Sequence, residues 1–97
     1  MNVGICKFRL RLPENGTLKG KRQVFRYISS RVRNRFNVSV AEVEDNENHQ
    51  LLTLGVVCVS NSARHANEPL SHLVDYVESS RPDAELMDYD LEIVGGV

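Results

Sequence analysis

Apolar residues in this chain keep two spacings, and the order in which one gives way to the other leaves few folds open. Over residues 3–12 they alternate, with Cys6, Phe8, Leu10 and Leu12 on one face and Val3, Ile5, Lys7, Arg9 and Arg11 on the other. This is the pattern of a half-buried strand with a cationic end to its second face. Pro13-Glu14-Asn15-Gly16 breaks it, because proline removes a ladder donor and Asn-Gly supplies turn dihedrals. The spacing then widens to three and four residues at Leu18, Phe25, Ile28, Val32 and Phe36, which predicts a helix over roughly 18–36 with Thr17 as its N-cap. Asn37–Glu44 returns to strand composition, and Asp45–Gln50 is a polar hairpin loop. Leu51–Val59 (LLTLGVVCV) is almost continuously apolar, as expected of a central strand covered on both faces. Ser60-Asn61-Ser62 offers caps to a second helix with Leu70, Leu73, Val74 and Val77 as its stripe. Pro69 in that stretch predicts either a kink or a start delayed to near Glu68. Residues 85–94 alternate again, with Met87, Tyr89, Leu91 and Ile93 set against Asp88, Asp90 and Glu92.

The order is strand, helix, strand, strand, helix, strand. It fits an α+β fold, the ferredoxin-like βαββαβ sandwich, in which a four-stranded, mostly antiparallel sheet carries two helices on one face. Right-handed crossovers place strands 1 and 3 side by side at its centre. The 97 residues are enough for one domain, 1–97, with a thin core, since a chain this short buries roughly 60–65% of its unfolded surface. No apolar run reaches the roughly 18–20 residues of a membrane span, and the opening residues lack a signal peptide's order of charged then apolar segments. Cys6 and Cys58 lie in apolar runs with no ligand spacing, the usage of reduced, buried thiols. The expectation is a cytoplasmic protein with no membrane partner.

Net charge is −1, but the charges are segregated: residues 1–35 hold ten bases and one acid, and residues 36–97 hold two bases and twelve acids. Either the two sets neutralise one another inside the fold, or the basic segment faces an anionic partner. On the first helix Lys19, Arg22, Arg26 and Arg33 fall within roughly a 60° arc. Arg31 and Arg35 flank the apolar stripe, and Lys21 projects close to it and is expected to snorkel at its edge. Guanidinium groups at successive turns suit a phosphate backbone, which each can bind bidentately. The plain alternative is a solvated helix face, yet no acid lies between Lys19 and Arg35 to supply i,i+4 pairs. A second candidate is the N-terminus of helix 2, where Arg64 and His65 would complete an anion site; capping alone explains the same residues. The expected phosphate-binding residues are therefore Lys19, Lys21, Arg22, Arg26, Arg33 and Arg64, with Lys7, Arg9 and Arg11 extending the surface if strand 1 is accessible.

Other chemistry finds less support. The central strands lack the exposed aromatics of a base-stacking sheet, since strand 3 has none and Phe8 is in register with the core residues. Their outer face is aliphatic instead, so either a loop or tail covers it or a homodimer forms through it. His65 and His72 lie seven apart, too far for an i,i+4 ligand pair, and no nucleophile elbow, P-loop, zinc or dinucleotide signature is present. No catalytic residue, metal site or cofactor is assigned, and the chain is read as no enzyme.

Three blocks, LKGKR at 18–22, RFNVSVAEV at 35–43 and LGVVCVSN at 54–61, resemble the YlxP-like family of small bacterial proteins of unknown function. The resemblance runs from the opening strand to Asp90 and implies a ferredoxin-like fold. Genes of the family commonly neighbour those for initiation factor two and ribosome-binding factor A, which implies a role in ribosome assembly or translation. Pro69 departs from the family's pattern of an aliphatic residue in an unbroken helix, which leaves the course of early helix 2, and the anion site at Arg64, to be decided by structure. Together these features lead to the expectation of a non-enzymatic accessory protein bound to ribosomal RNA or a ribosomal subunit through helix 1. The alternative is a homo-oligomeric interaction module whose basic helix docks on the acidic strand 4 (Asp88, Asp90, Glu92) of a neighbour, with no nucleic acid involved.

Overall fold

A computed structural model describes residues 1–97. Its elements are β1 (Asn2–Arg11), α1 (Leu18–Arg35), β2 (Ser39–Glu44), β3 (Leu51–Ser60), α2 (Ala63–Ser80) and β4 (Glu85–Val94). The strands form one sheet in the order β2-β3-β1-β4, every pairing antiparallel, with both helices packed on one face. This is the ferredoxin-like α+β sandwich, with β1 and β3 central as right-handed crossovers require.

Each boundary has a local cause. The Thr17 hydroxyl accepts a hydrogen bond from the Gly20 amide at 2.9 Å and starts α1. Ser62 plays the same part for α2, accepting from the His65 amide. Pro69 neither delays α2 nor ends it: the helix begins at Ala63 and runs through Pro69 to Ser80. The missing proline N–H leaves the His65 carbonyl without its intrahelical partner, and His65 is exposed, so water can satisfy it.

The core lies between the sheet and the helices. Cys6, Phe8, Leu10, Leu52, Leu54, Val56 and Cys58 point inward from the central strands and meet Val24, Ile28 and Val32 of α1 and Ala66, Leu70, Leu73 and Val77 of α2. Both cysteines are free and buried in this layer. Burial pushes the Cys6 thiol up to about 11, with the charge of Asp90 adding to the effect, so Cys6 is a packing residue rather than a nucleophile.

The other sheet face is open, which corrects the expectation that β3 is covered on both sides. Helices sit on one side only, so the outward residues of the apolar run meet solvent, and Val59 is 67% exposed. Two bulges also shift the side-chain phase. One, between Arg9 and Leu10 of β1, pairs Leu10 with Leu86, so that Leu86 packs on the core and Met87 is left exposed. The other, between Glu42 and Glu44 of β2, turns Val43 outward against Gly55, where a Cβ would come within 2.7 Å of the valine.

Candidate functional site

α1 lays its apolar stripe on the sheet and turns the remaining face to solvent. Of the seven cations between Lys19 and Arg35, six are exposed: Lys19, Arg22, Arg26, Arg31, Arg33 and Arg35. None of the six is in an ion pair. The salt bridges of the molecule engage Lys7, Arg9, Lys21, Arg64 and Arg81 only. Local neutralisation, the simpler account of the charge segregation, therefore does not operate on this face. The β4 acids Asp88, Asp90 and Glu92 point from the far side of the sheet, in register with Arg9, Lys7 and Ile5. A basic helix layer and an acidic edge of the open face thus lie on opposite sides of the sheet.

Lys21 leaves the predicted site. Its side chain is 1% exposed, and its Nζ lies 2.8 Å from Glu42 Oε2. The ammonium donates to the carbonyls of Asp45 and Asn48 at 2.8 Å and to those of Asn46 and Leu51 at 3.2 Å. Three ammonium protons shared among four carbonyls leave none aligned with the carboxylate, so Glu42 Oε2 has no hydrogen-bond donor and the contact is electrostatic. Lys21 does not snorkel because a better site lies at hand: it enters the end of the β2–β3 hairpin and gathers its loop. A side chain held in this way cannot reach a phosphate.

Arg64 is diverted differently. It stands in solvent with its Nε 2.9 Å from Glu68 Oε1, an i,i+4 pair that holds the Glu68 carboxyl below its ordinary range. The pair is exposed on both sides, 82% at Arg64, so it ties the guanidinium only loosely to its own helix. Lys7 and Arg9 are likewise engaged, Lys7 Nζ with Glu44 at 2.8 Å and Arg9 Nη1 with Asp88 Oδ1 at 2.9 Å. They lie on the open sheet face, so they do not extend the surface of α1. Arg33 donates from Nη2 to the Val40 carbonyl at 2.7 Å, which fixes its stem while its charge remains unpaired.

Sequence reasoning placed Arg31 beside the apolar stripe but did not join it to Tyr27 and Arg81. The Arg31 guanidinium carbon lies 4.4 Å from the Tyr27 ring centroid and that of Arg81 4.9 Å from it, both within the range of cation–π contact. The i,i+4 spacing of Tyr27 and Arg31 carried part of this signal; the approach of Arg81, more than fifty residues later, did not show in the chain. No group of three or more His, Cys, Asp or Glu is arranged to hold a metal ion, and no helix is long and apolar enough to cross a membrane.

A family profile described as a protein of unknown function (DUF503) matches residues 3–91, nearly the whole of this fold. The chain belongs to the DUF503 family. It is 30% identical over 77 residues to the "Uncharacterized protein YlxP" of Bacillus subtilis (strain 168), an alignment covering 79% of this chain and 84% of that protein. The YlxP-like resemblance carried by the three blocks is thereby confirmed. In this DUF503 chain the LKGKR block divides: Lys19 and Arg22 face solvent, while Gly20 and Lys21 serve the fold.

Proposed function

We propose that this DUF503 protein is a non-enzymatic accessory protein that binds ribosomal RNA or a ribosomal subunit, with α1 contacting phosphates through Lys19, Arg22, Arg26 and Arg33. The observation that carries this reading is the absence of any acid partner for these four exposed side chains on one arc of a helix. Like charges at neighbouring turns repel, so the fold tolerates a local cost that a bound polyanion would relieve. Each bound phosphate also releases condensed counterions, which makes such binding strongly salt-dependent. The test is co-sedimentation with purified ribosomal subunits. The protein pellets with a subunit at low salt, and the Arg22→Glu/Arg26→Glu variant stays in the supernatant with its circular dichroism unchanged. Equal pelleting of the two proteins refutes the assignment.

A second reading has its own observation. Ile5, Val43, Val57 and Val59 are exposed together on the open sheet face, where Ile5 pairs with Val57, Val3 pairs with Val59, and Val43 lies over Gly55. Self-association through this aliphatic patch would remove it from water and leave α1 free on the other side of the sheet. Light scattering over a concentration series reads it: Val57→Lys turns a dimer into a monomer, and a protein that is monomeric throughout rules it out.

A further inference from the structure

The cation arc of α1 also contains an aromatic ring. Arg26, Ser30 and Asn34 form one i,i+4 ridge along the exposed face of the helix, and Tyr27 and Arg31 form the next. Ser30 is short between two longer neighbours, so the ridges part there into a shallow groove of about 650 Å³ lined by these five residues. Tyr27 forms its wall, 37% exposed, with the guanidinium groups of Arg31 and Arg81 stacked against the ring. Arg81 is held in place by Asp83, Nε to Oδ1 at 2.8 Å and Nη2 to Oδ2 at 2.6 Å. Its charge is spent on that carboxylate, so it buttresses the ring and is no phosphate ligand. Phosphate contact alone requires no aromatic residue, whereas a ring and a planar guanidinium edged by amide and hydroxyl groups form a surface on which a flat heterocycle stacks.

We infer that this groove accepts an unpaired nucleobase, and hence that the RNA bound by α1 is single-stranded at the point of contact. The inference rests on the phosphate-binding reading of α1. The base stacks on the outer plane of the Arg31 guanidinium, which the Tyr27 ring backs, Asn34 and Ser30 hydrogen-bond its edge, and Arg26 takes the adjoining phosphate. A base inside an A-form duplex is stacked on both sides and cannot enter. The open sheet face offers no competing platform on its central strands, since Phe8 is 1% exposed and lies on the core side.

The experiment measures anisotropy of a short fluorescein-labelled RNA strand without self-complementarity, free and annealed to its complement. The wild-type protein prefers the free strand, Tyr27→Ala weakens that binding roughly fivefold or more, and Tyr27→Phe, which keeps the ring, binds as wild type. Arg31→Ala, a change at the exposed end of the wall, lowers the preference in the same direction, and all variants keep the wild-type circular dichroism. Equal affinity for strand and duplex, with Tyr27→Ala unaffected and Arg22→Glu/Arg26→Glu defective, overturns the base site and leaves the phosphate reading standing. Failure of the wild-type protein to bind either RNA at low salt overturns both.

Discussion

Lys21 shows how one residue can look like part of a surface and belong to the core. It sits in the middle of the apolar stripe of α1, and Glu42 occupies an inward phase of β2, so each breaks a hydrophobic pattern where the pattern is strongest. Two such breaks compensate only if they meet, and here they meet at 2.8 Å. Removing one partner strands the other, because a carboxylate with little access to water cannot be solvated. Lys21→Met should therefore cost about 3 kcal/mol, the low end of the range for a broken buried pair because Glu42 keeps 19% exposure. Urea unfolding reads this, and a loss below about 1 kcal/mol contradicts the buried-pair account. On the proposed function, the same variant should match the wild type in co-sedimentation with ribosomal subunits, since Lys21 does not reach the α1 surface. The signal was present in the sequence as two misfits, but nothing in either segment said that they were partners, because the turn that joins them is built by the hairpin loop.

Elements were legible wherever one hydrophobic period ran without interruption. The sequence expectation for α1 ended one residue late, and that for β4 matched its bounds, as both segments hold their period from end to end. The expectations failed where a backbone irregularity shifts the phase, at the β4 bulge, which replaces Met87 by Leu86 in the core; at Pro69 the delayed start is excluded, since α2 already begins at Ala63. Since α2 packs Ala66, Leu70, Leu73 and Val77 into the core, it stays helical through the proline and bears its cost. Pro69→Ala restores a helical hydrogen bond at some loss of unfolded-state restriction, so it should raise stability by about 2 kcal/mol. A neutral or destabilising result in urea would show that the helix is already adapted to the ring. Close packing of α2 on β1 makes the opposite prediction at Gly4, where a Cβ would lie 2.7 Å from Leu70 Cδ1 and 2.9 Å from Cys58 Sγ. Gly4→Ala overfills that contact and should lower stability by about 1–3 kcal/mol, readable by the same titration. An unchanged midpoint would mean that the two layers can separate freely.

At the scale of the molecule the charges divide into pairs and an unpaired arc. Glu44, Glu68 and Asp83 are held below their ordinary carboxylate range by hydrogen bonds and charge from Lys7, Arg64 and Arg81 respectively. A carboxyl depressed in the folded state stabilises above its unfolded value of about 4 and loses that contribution as pH falls through the folded value. The urea midpoint should therefore be flat from neutrality to about pH 5 and decline shallowly below about pH 4, because exposed pairs contribute little. A midpoint that rises on acidification contradicts the pairings. The segregation of charge along the chain could be read at once, but whether it cancelled could not. That depended on which side of the sheet each row takes, and the structure puts the α1 arc and the β4 acids on opposite sides. Lys7, Arg9, Lys21, Arg64 and Arg81 thus meet the fold's own acids, and apart from the exposed Arg11 at the end of β1 the unpaired cations are those of α1.

The most direct measurement of the proposed function is the salt dependence of binding to purified ribosomal subunits. Four phosphate contacts from Lys19, Arg22, Arg26 and Arg33 predict a slope of log K against log salt of about −3 to −4. Single substitutions of these residues to alanine should each make that slope shallower by about one, while Arg64→Ala leaves it unchanged. A slope near zero, or one that Arg64 alters and Arg22 does not, would contradict the central claim that the unpaired arc of α1 is the surface this protein presents to RNA.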